Sequence, residues 1–150
     1  MSNGLFGSLA ISASGMSADR LRMDVVSENL ANADTTEGAD GKPYQRKEVL
    51  LQEIGGGSSF ADVLSGVQSD GGPAGGVEVT GVVDDQSPGR RVYDPGNPDA
   101  DKTGYVTLPN VNPVTEMVDL IGSSRGYEAN VQAEDASKQM FTKALTILGS

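Results

Sequence analysis

Apolar positions recur every seven residues at the start of the chain. Leu9, Met16, Met23 and Leu30 keep that interval, and Leu5, Ala13 and Val26 widen the same stripe. Residues 4–31 are therefore predicted to form one amphipathic helix with coiled-coil spacing. Such a helix would be roughly 40 Å long, more than a chain of this size needs for its own core. Its first half is weak by propensity. Gly4, Gly7, Ser8, Ser12, Ser14, Gly15 and Ser17 all favour other conformations, each glycine by about 1 kcal/mol relative to alanine, so this segment needs a partner surface to stay helical. The run Asn29-Leu30-Ala31-Asn32-Ala33-Asp34-Thr35-Thr36, followed by Gly38 and Gly41, carries residues that cap and turn, and the helix is expected to end there.

The pattern then loses its helical period. Residues 44–54 read as extended, although Val49-Leu50-Leu51 interrupts the alternation; residues 77–83, Arg91-Val92-Tyr93 and Tyr105-Val106-Thr107-Leu108 read as three further short strands. Between the first two lies 55–76, rich in Gly and Ser, with a short helical possibility at Phe60–Gly66; this is expected to be a flexible insertion. A helical period returns at 114–148. Asn112 is placed to cap it and Pro113 fits its first position. Val114, Val118 and Ile121 begin one stripe, and Met117, Leu120, Tyr127 and Val131 begin another; Phe141, Leu145 and Leu148 complete it. The resulting fold class is α+β: long N- and C-terminal helices packed as a coiled-coil-like pair, with a small irregular β region between them. The chain divides into an N-terminal assembly helix (1–34), a β-rich middle (35–109) and a C-terminal assembly helix (110–150).

Composition explains why those helices need partners. Of 150 residues only 37% are hydrophobic, with three Phe, four Tyr and no Trp, while 20 Gly and 7 Pro break up the centre. A small core with helical surface left over is the consequence. The net charge of −10 argues against nucleic acid, whose phosphates are bound by clustered Lys and Arg. The charge is concentrated in the middle. Residues 1–34 are nearly balanced (Arg20 and Arg22 against Asp19, Asp24, Glu28 and Asp34), as surfaces meant to meet each other should be. With no cysteine there are no disulfides or thiolate metal sites. Neither a signal-peptide pattern nor an apolar run of membrane-spanning length is present, so no membrane insertion is expected.

Two patterns invite a chemical reading. Gly122-Ser123-Ser124-Arg125-Gly126 matches G-x-S-x-G in letters, but it falls within a helical period, and the chain has no histidine to act as base. Small residues permitting close helix approach are the better account. Asp99-Ala100-Asp101-Lys102-Thr103-Gly104 resembles the opening of a calcium loop, but Asn110 stands where the bidentate carboxylate belongs and Lys102 places a cation inside. A polar turn is the default reading of 99–104, with a calcium-binding module as a remote alternative. No catalytic residue, metal ligand or cofactor site is assigned, and the chain is read as non-enzymatic. In the C-terminal stripe, Asn130, Glu134 and Lys138 interrupt the apolar positions, and such polar breaks fix register in ordered assemblies.

Several segments together carry a family likeness. These are Ser12-Ala13-Ser14-Gly15-Met16-Ser17-Ala18 through Leu30-Ala31-Asn32-Ala33-Asp34-Thr35-Thr36, then Tyr93-Asp94-Pro95-Gly96-Asn97-Pro98-Asp99-Ala100, Gly104 to Asn112, Glu116 to Ile121, and Ser124 to Val131. With them the sequence resembles the flagellar rod, hook and hook-associated axial family, and within it the short proximal-rod type. It departs from the family's common Pro-Gly-His-Pro at Asn97, and Gly126 stands where alanine is frequent. The resemblance implies a structural subunit of the basal-body rod, a periplasmic drive shaft, exported without a cleavable signal peptide through the flagellar type III apparatus. Its partners would be other rod proteins and copies of itself. A distal-rod or hook subunit is the alternative, disfavoured because those relatives usually carry larger middle domains. The assembly interface expected from the two stripes is Leu9, Met16, Met23, Val26, Leu30, Met117, Leu120, Ile121, Tyr127, Val131, Phe141, Leu145 and Leu148.

Overall fold

A computed structural model describes residues 2–38, 40–54 and 75–148. The expected insertion at 55–76, including the possible helix at Phe60–Gly66, lies almost wholly outside the described residues. Two helices bracket four short strands: α1 (Ser2–Ala31), β1 (Lys47–Glu53), β2 (Val77–Asp84), β3 (Arg91–Tyr93), β4 (Tyr105–Thr107) and α2 (Pro113–Leu148). The chain is α+β as the hydrophobic pattern predicts; β1 is shorter than expected at both ends and β4 by its last residue, β2 extends one residue further to Asp84, and β3 falls where expected.

The start of α2 follows from two residues. Asn112 Oδ1 accepts from the Val114 amide at 3.0 Å, satisfying a donor the helix leaves open, and Pro113 occupies the first position, where a missing N–H costs nothing. At the other helix end, Asn32 and Ala33 close α1 with turn bonds from their amides to Glu28 and Leu30 carbonyls.

The strands form two separate antiparallel ribbons, β1 with β2 and β3 with β4. The Asp85 amide donates to Arg46 O at 2.7 Å at one end of the first ribbon, and the Ile54 amide donates to Gly76 O at 3.0 Å at the other. The second pairs Arg91 with Thr107, Val92 with Val106 and Tyr93 with Tyr105. The two tyrosine rings meet edge-on with centroids 5.2 Å apart. Gly104, at φ +80°, carries the turn before β4; a side chain there would be strained and would strike the Tyr93 ring.

The chain clusters into two compact units that do not follow chain order. One combines Met1–Arg20, Leu51–Thr80 and Ser124–Ser150, the other Leu21–Leu50 and Gly81–Ser123. Each therefore draws on both helices and on part of the middle. Among the described residues few apolar side chains are buried: Ala18 in the first unit, and Val25, Val26, Val106 and Pro109 in the second. No helix among the described residues is long and apolar enough to cross a membrane.

Candidate functional site

In the first unit α1 and α2 face each other through small and polar side chains. The Ser8 hydroxyl donates to Ser137 Oγ at 3.4 Å, and the Ser137 hydroxyl donates to the Ala133 carbonyl within its own helix. Asn130 Nδ2 donates to Asp19 Oδ2 at 3.2 Å. Glycines flank that pair on both helices. A methyl group at Gly15 would stand 2.7 Å from Asn130 Nδ2, and one at Gly126 would stand 2.9 Å from Asp19 Oδ2, so either would push the amide and carboxylate apart. From Ser8 to Gly15 α1 advances seven residues while the partner retreats seven, from Ser137 to Asn130: the helices run antiparallel in heptad register. Ser14 also ties α1 to the first ribbon, its hydroxyl oxygen accepting from the Val77 amide at 3.1 Å.

In the second unit the same arithmetic brings Asn29 to Glu116, and both are fully buried. Asn29 Nδ2 donates to Glu116 Oε2 at 3.0 Å and to Lys47 O at 2.9 Å, while its Oδ1 accepts from the Tyr44 hydroxyl and the Lys47 amide, each at 2.9 Å. Arg46 Nε donates to Glu116 Oε1 at 2.6 Å, and the other guanidinium nitrogens pair with Glu48 and Asp119. The Arg46 amide donates to Asn110 Oδ1, whose Nδ2 donates in turn to Asp85 O. Burial disfavours the charged guanidinium, but its bonds to Glu116 and Glu48 outweigh that and hold the Arg46 pKa above its ordinary value. Burial, reinforced by Glu28, raises the Tyr44 pKa.

With the seams so polar, much of the apolar surface of α2 lies outside. In the second unit Val114 (70% exposed), Met117, Val118 (63%) and Ile121 (55%) follow i, i+3, i+4, i+7 spacing on one open face; in the first, Met140, Phe141, Leu145 and Ile147 are exposed. Of the residues expected at an interface, Met117, Ile121, Phe141 and Leu145 are exposed. Leu9, Met16, Met23, Leu30, Leu120, Tyr127 and Val131 are half-buried, and Val26 is buried; the Leu148 side chain lies outside the described residues. The stripe of α1 therefore flanks the helix seam, whose centre is Ser12, Ala18, Val25, Val26 and Asn29. Of the polar breaks in α2, Asn130 spans the seam as expected, but Glu134 and Lys138 pair with each other at 2.7 Å along one helix and fix no register.

The two chemical look-alikes have ordinary structural uses. Gly122–Gly126 lies inside α2. Ser123 is buried and Gly126 permits the approach of Asp19, whereas Gly122 faces open space, so close approach explains only part of that run. In the 99–104 turn, Asp99 Oδ2 accepts from the Thr36 hydroxyl at 2.6 Å. Asp101 Oδ1 accepts from the Thr103 hydroxyl and amide and from the Tyr105 amide, and Asp101 Oδ2 accepts from Arg91 at 2.6 Å. The Thr103 hydroxyl, then the Tyr105 amide, hold the Asp101 carboxyl at about 2. No group of three or more acidic side chains among the described residues is arranged to hold a metal.

Two family models match the chain at its helical ends: "Flagella basal body rod protein" over residues 9–39, and "Flagellar basal body rod FlgEFG protein C-terminal" over residues 102–147. Curated relatives extend the match across the middle. The chain is 51% identical to the flagellar basal-body rod protein FlgC of Bacillus subtilis, over 95% of this chain and 97% of that one. It is 43% identical to FlgC of Borreliella burgdorferi, over 97% and 98%, and 41% identical to FlgC of Salmonella typhimurium, over 91% and 92%. Two terminal helices joined through a small β region, with matches at this identity from end to end, mean that the chain belongs to the FlgC family of flagellar basal-body rod proteins.

Proposed function

We propose that this chain is a structural subunit of the flagellar basal-body rod, joining other rod proteins through the outer faces of its helices to build the axial shaft that transmits torque. Residues 1–34 and 110–150 act as assembly segments. The interface comprises Leu9, Met16, Met23, Leu30, Leu120, Tyr127 and Val131 at the margins of the helix seam, Met117, Ile121, Phe141 and Leu145 outside it, with Leu148 at the end of α2 and Val26 supporting from beneath. The observation that carries this reading is the open row Val114, Met117, Val118 and Ile121, beside a seam in which the fully buried large side chains are Asn29 and Glu116. A helix that spends polar side chains on its own partner and leaves aliphatic ones in water is built to meet something else. Contacts repeated head to tail along a screw axis give an open filament, which needs two different faces on each subunit.

The chain reaches the periplasmic rod through the flagellar type III export apparatus, which suits helices weak enough to travel unfolded and to order on neighbours. Replacing Ile121 by Asp tests the interface without touching the buried network. The variant is expected to be exported at the normal level, to fold, and to fail to enter basal bodies, abolishing motility. Normal swimming by cells carrying only Ile121→Asp would overturn the assignment of that face.

A further inference from the structure

The most buried side chains of the second unit are an asparagine and a glutamate, and the origin of their partners has a consequence. Asn29 sits at the end of α1 and Glu116 in the first turn of α2. Among the described residues, one hydrogen bond, Asn29 Nδ2 to Glu116 Oε2, joins the two helices directly at this point. Everything else comes from residues 44–47. The Tyr44 hydroxyl and Lys47 amide supply both donors to Asn29 Oδ1, the Lys47 carbonyl takes the second Asn29 N–H, and Arg46 neutralises Glu116. Arg46 is in turn aimed by its own backbone, whose amide bonds Asn110, just before α2, and whose carbonyl bonds Asp85, just after β2.

Without that segment the two helix ends would enclose an uncompensated carboxylate and an amide oxygen with no donor, which costs far more than their single mutual bond returns. We propose that Asn29, Glu116 and the 44–47 segment form a coupling latch: the end of α1 and the start of α2 order against each other only when the entry to β1 is seated between them. Helix pairing in this unit is thereby made conditional on folding of the β region. The helix ends cannot zip together on their own, as two purely apolar surfaces would. The latch concerns order within one chain and does not depend on what the outer faces dock against; a chain that showed the latch yet failed to join a rod would refute only the assembly reading.

Hydrogen exchange on the full-length chain tests it, using Arg46→Met, Glu116→Met, the double variant, and Lys47→Met as a control that keeps the Lys47 backbone bonds to Asn29 and removes the exposed Lys47–Glu28 pair and the ammonium beside the Tyr44 ring. Arg46→Met strands the buried carboxylate. It should accelerate exchange on the order of a hundred-fold in the last turns of α1, the first turns of α2 and β1 together. The double variant replaces both charges by apolar groups of similar reach and should recover most of that protection, while Lys47→Met should change little. Faster exchange confined to residues 44–48, with both helix ends still protected, would overturn the latch. Should Arg46→Met fail to fold, the double variant decides: a folded double variant supports the coupling, and one equally unfolded refutes it.

Discussion

Asp101 shows how much a single exposed side chain does in the β3–β4 hairpin. Its carboxylate accepts from Thr103, Tyr105 and Arg91, and the Thr103 hydroxyl and Tyr105 amide lower its pKa from 3.8 to about 2. A depressed carboxyl pKa means that the charged form is favoured in the folded state. The stability it lends is complete above the unfolded value and is lost as pH falls toward the folded one. The hairpin is expected to loosen between about pH 4 and pH 2, followed by the Tyr93 and Tyr105 ring resonances, and Asp101→Asn should flatten that part of the profile. Tyr44 has the opposite sign. With its pKa raised by burial and by Glu28, the stabilisation is present below the ordinary tyrosine value of 10.0 and is lost as pH rises through the folded one. Alkaline weakening of the second unit that disappears in Tyr44→Phe would report it.

Among the elements, α2 has the best-defined beginning and offers the simplest test. Asn112→Ala leaves the Val114 amide without its acceptor and should cost about 1 kcal/mol in chemical denaturation; a change near zero would mean that water replaces the cap at no loss. That cap was legible because it depends on two adjacent residues and local geometry. So were both helices and the order of the strands, which follow from period and turn residues. The seam was not. Apolar periodicity directs attention to Leu9, Met16, Met23 and Leu30, yet the helices meet through Ser8, Ser12, Gly15, Asn29, Glu116, Asn130 and Ser137, and neither Asn29 nor Glu116 is conspicuous in a sequence until its partner 87 residues away is known. One signal was available: Glu116, Ser123, Asn130 and Ser137 repeat at seven-residue intervals, as do Ser8, Gly15 and Asn29 with the second step doubled. A polar heptad in a chain of apolar stripes marks the face turned toward its own partner, because small and hydrogen-bonding groups give register where aliphatic ones give only adhesion.

For the molecule as a whole, the measure is how much of it is ordered before it meets its neighbours. α1 has 30 residues and α2 has 36, but few buried apolar side chains support them. Dilute chain should therefore show less helix by circular dichroism than those lengths combined, and gain it on assembly; full helicity in a non-associating monomer would argue for a self-sufficient hairpin. The expected interface was only partly legible at this scale, since periodicity identifies a stripe but not which side of it the chain covers for itself. The heptad pairing also restricts how the molecule can be edited. Deleting one residue between Ser8 and Gly15 would rotate one part of that helix against the other by about 100° and break the pairing of Ser8 with Ser137 or of Gly15 with Asn130, whereas excising seven residues from α1 together with the facing seven of α2 would keep every remaining rung opposite its partner. Length changes inside the helices should thus be accepted as heptads matched between α1 and α2 and refused in steps of one.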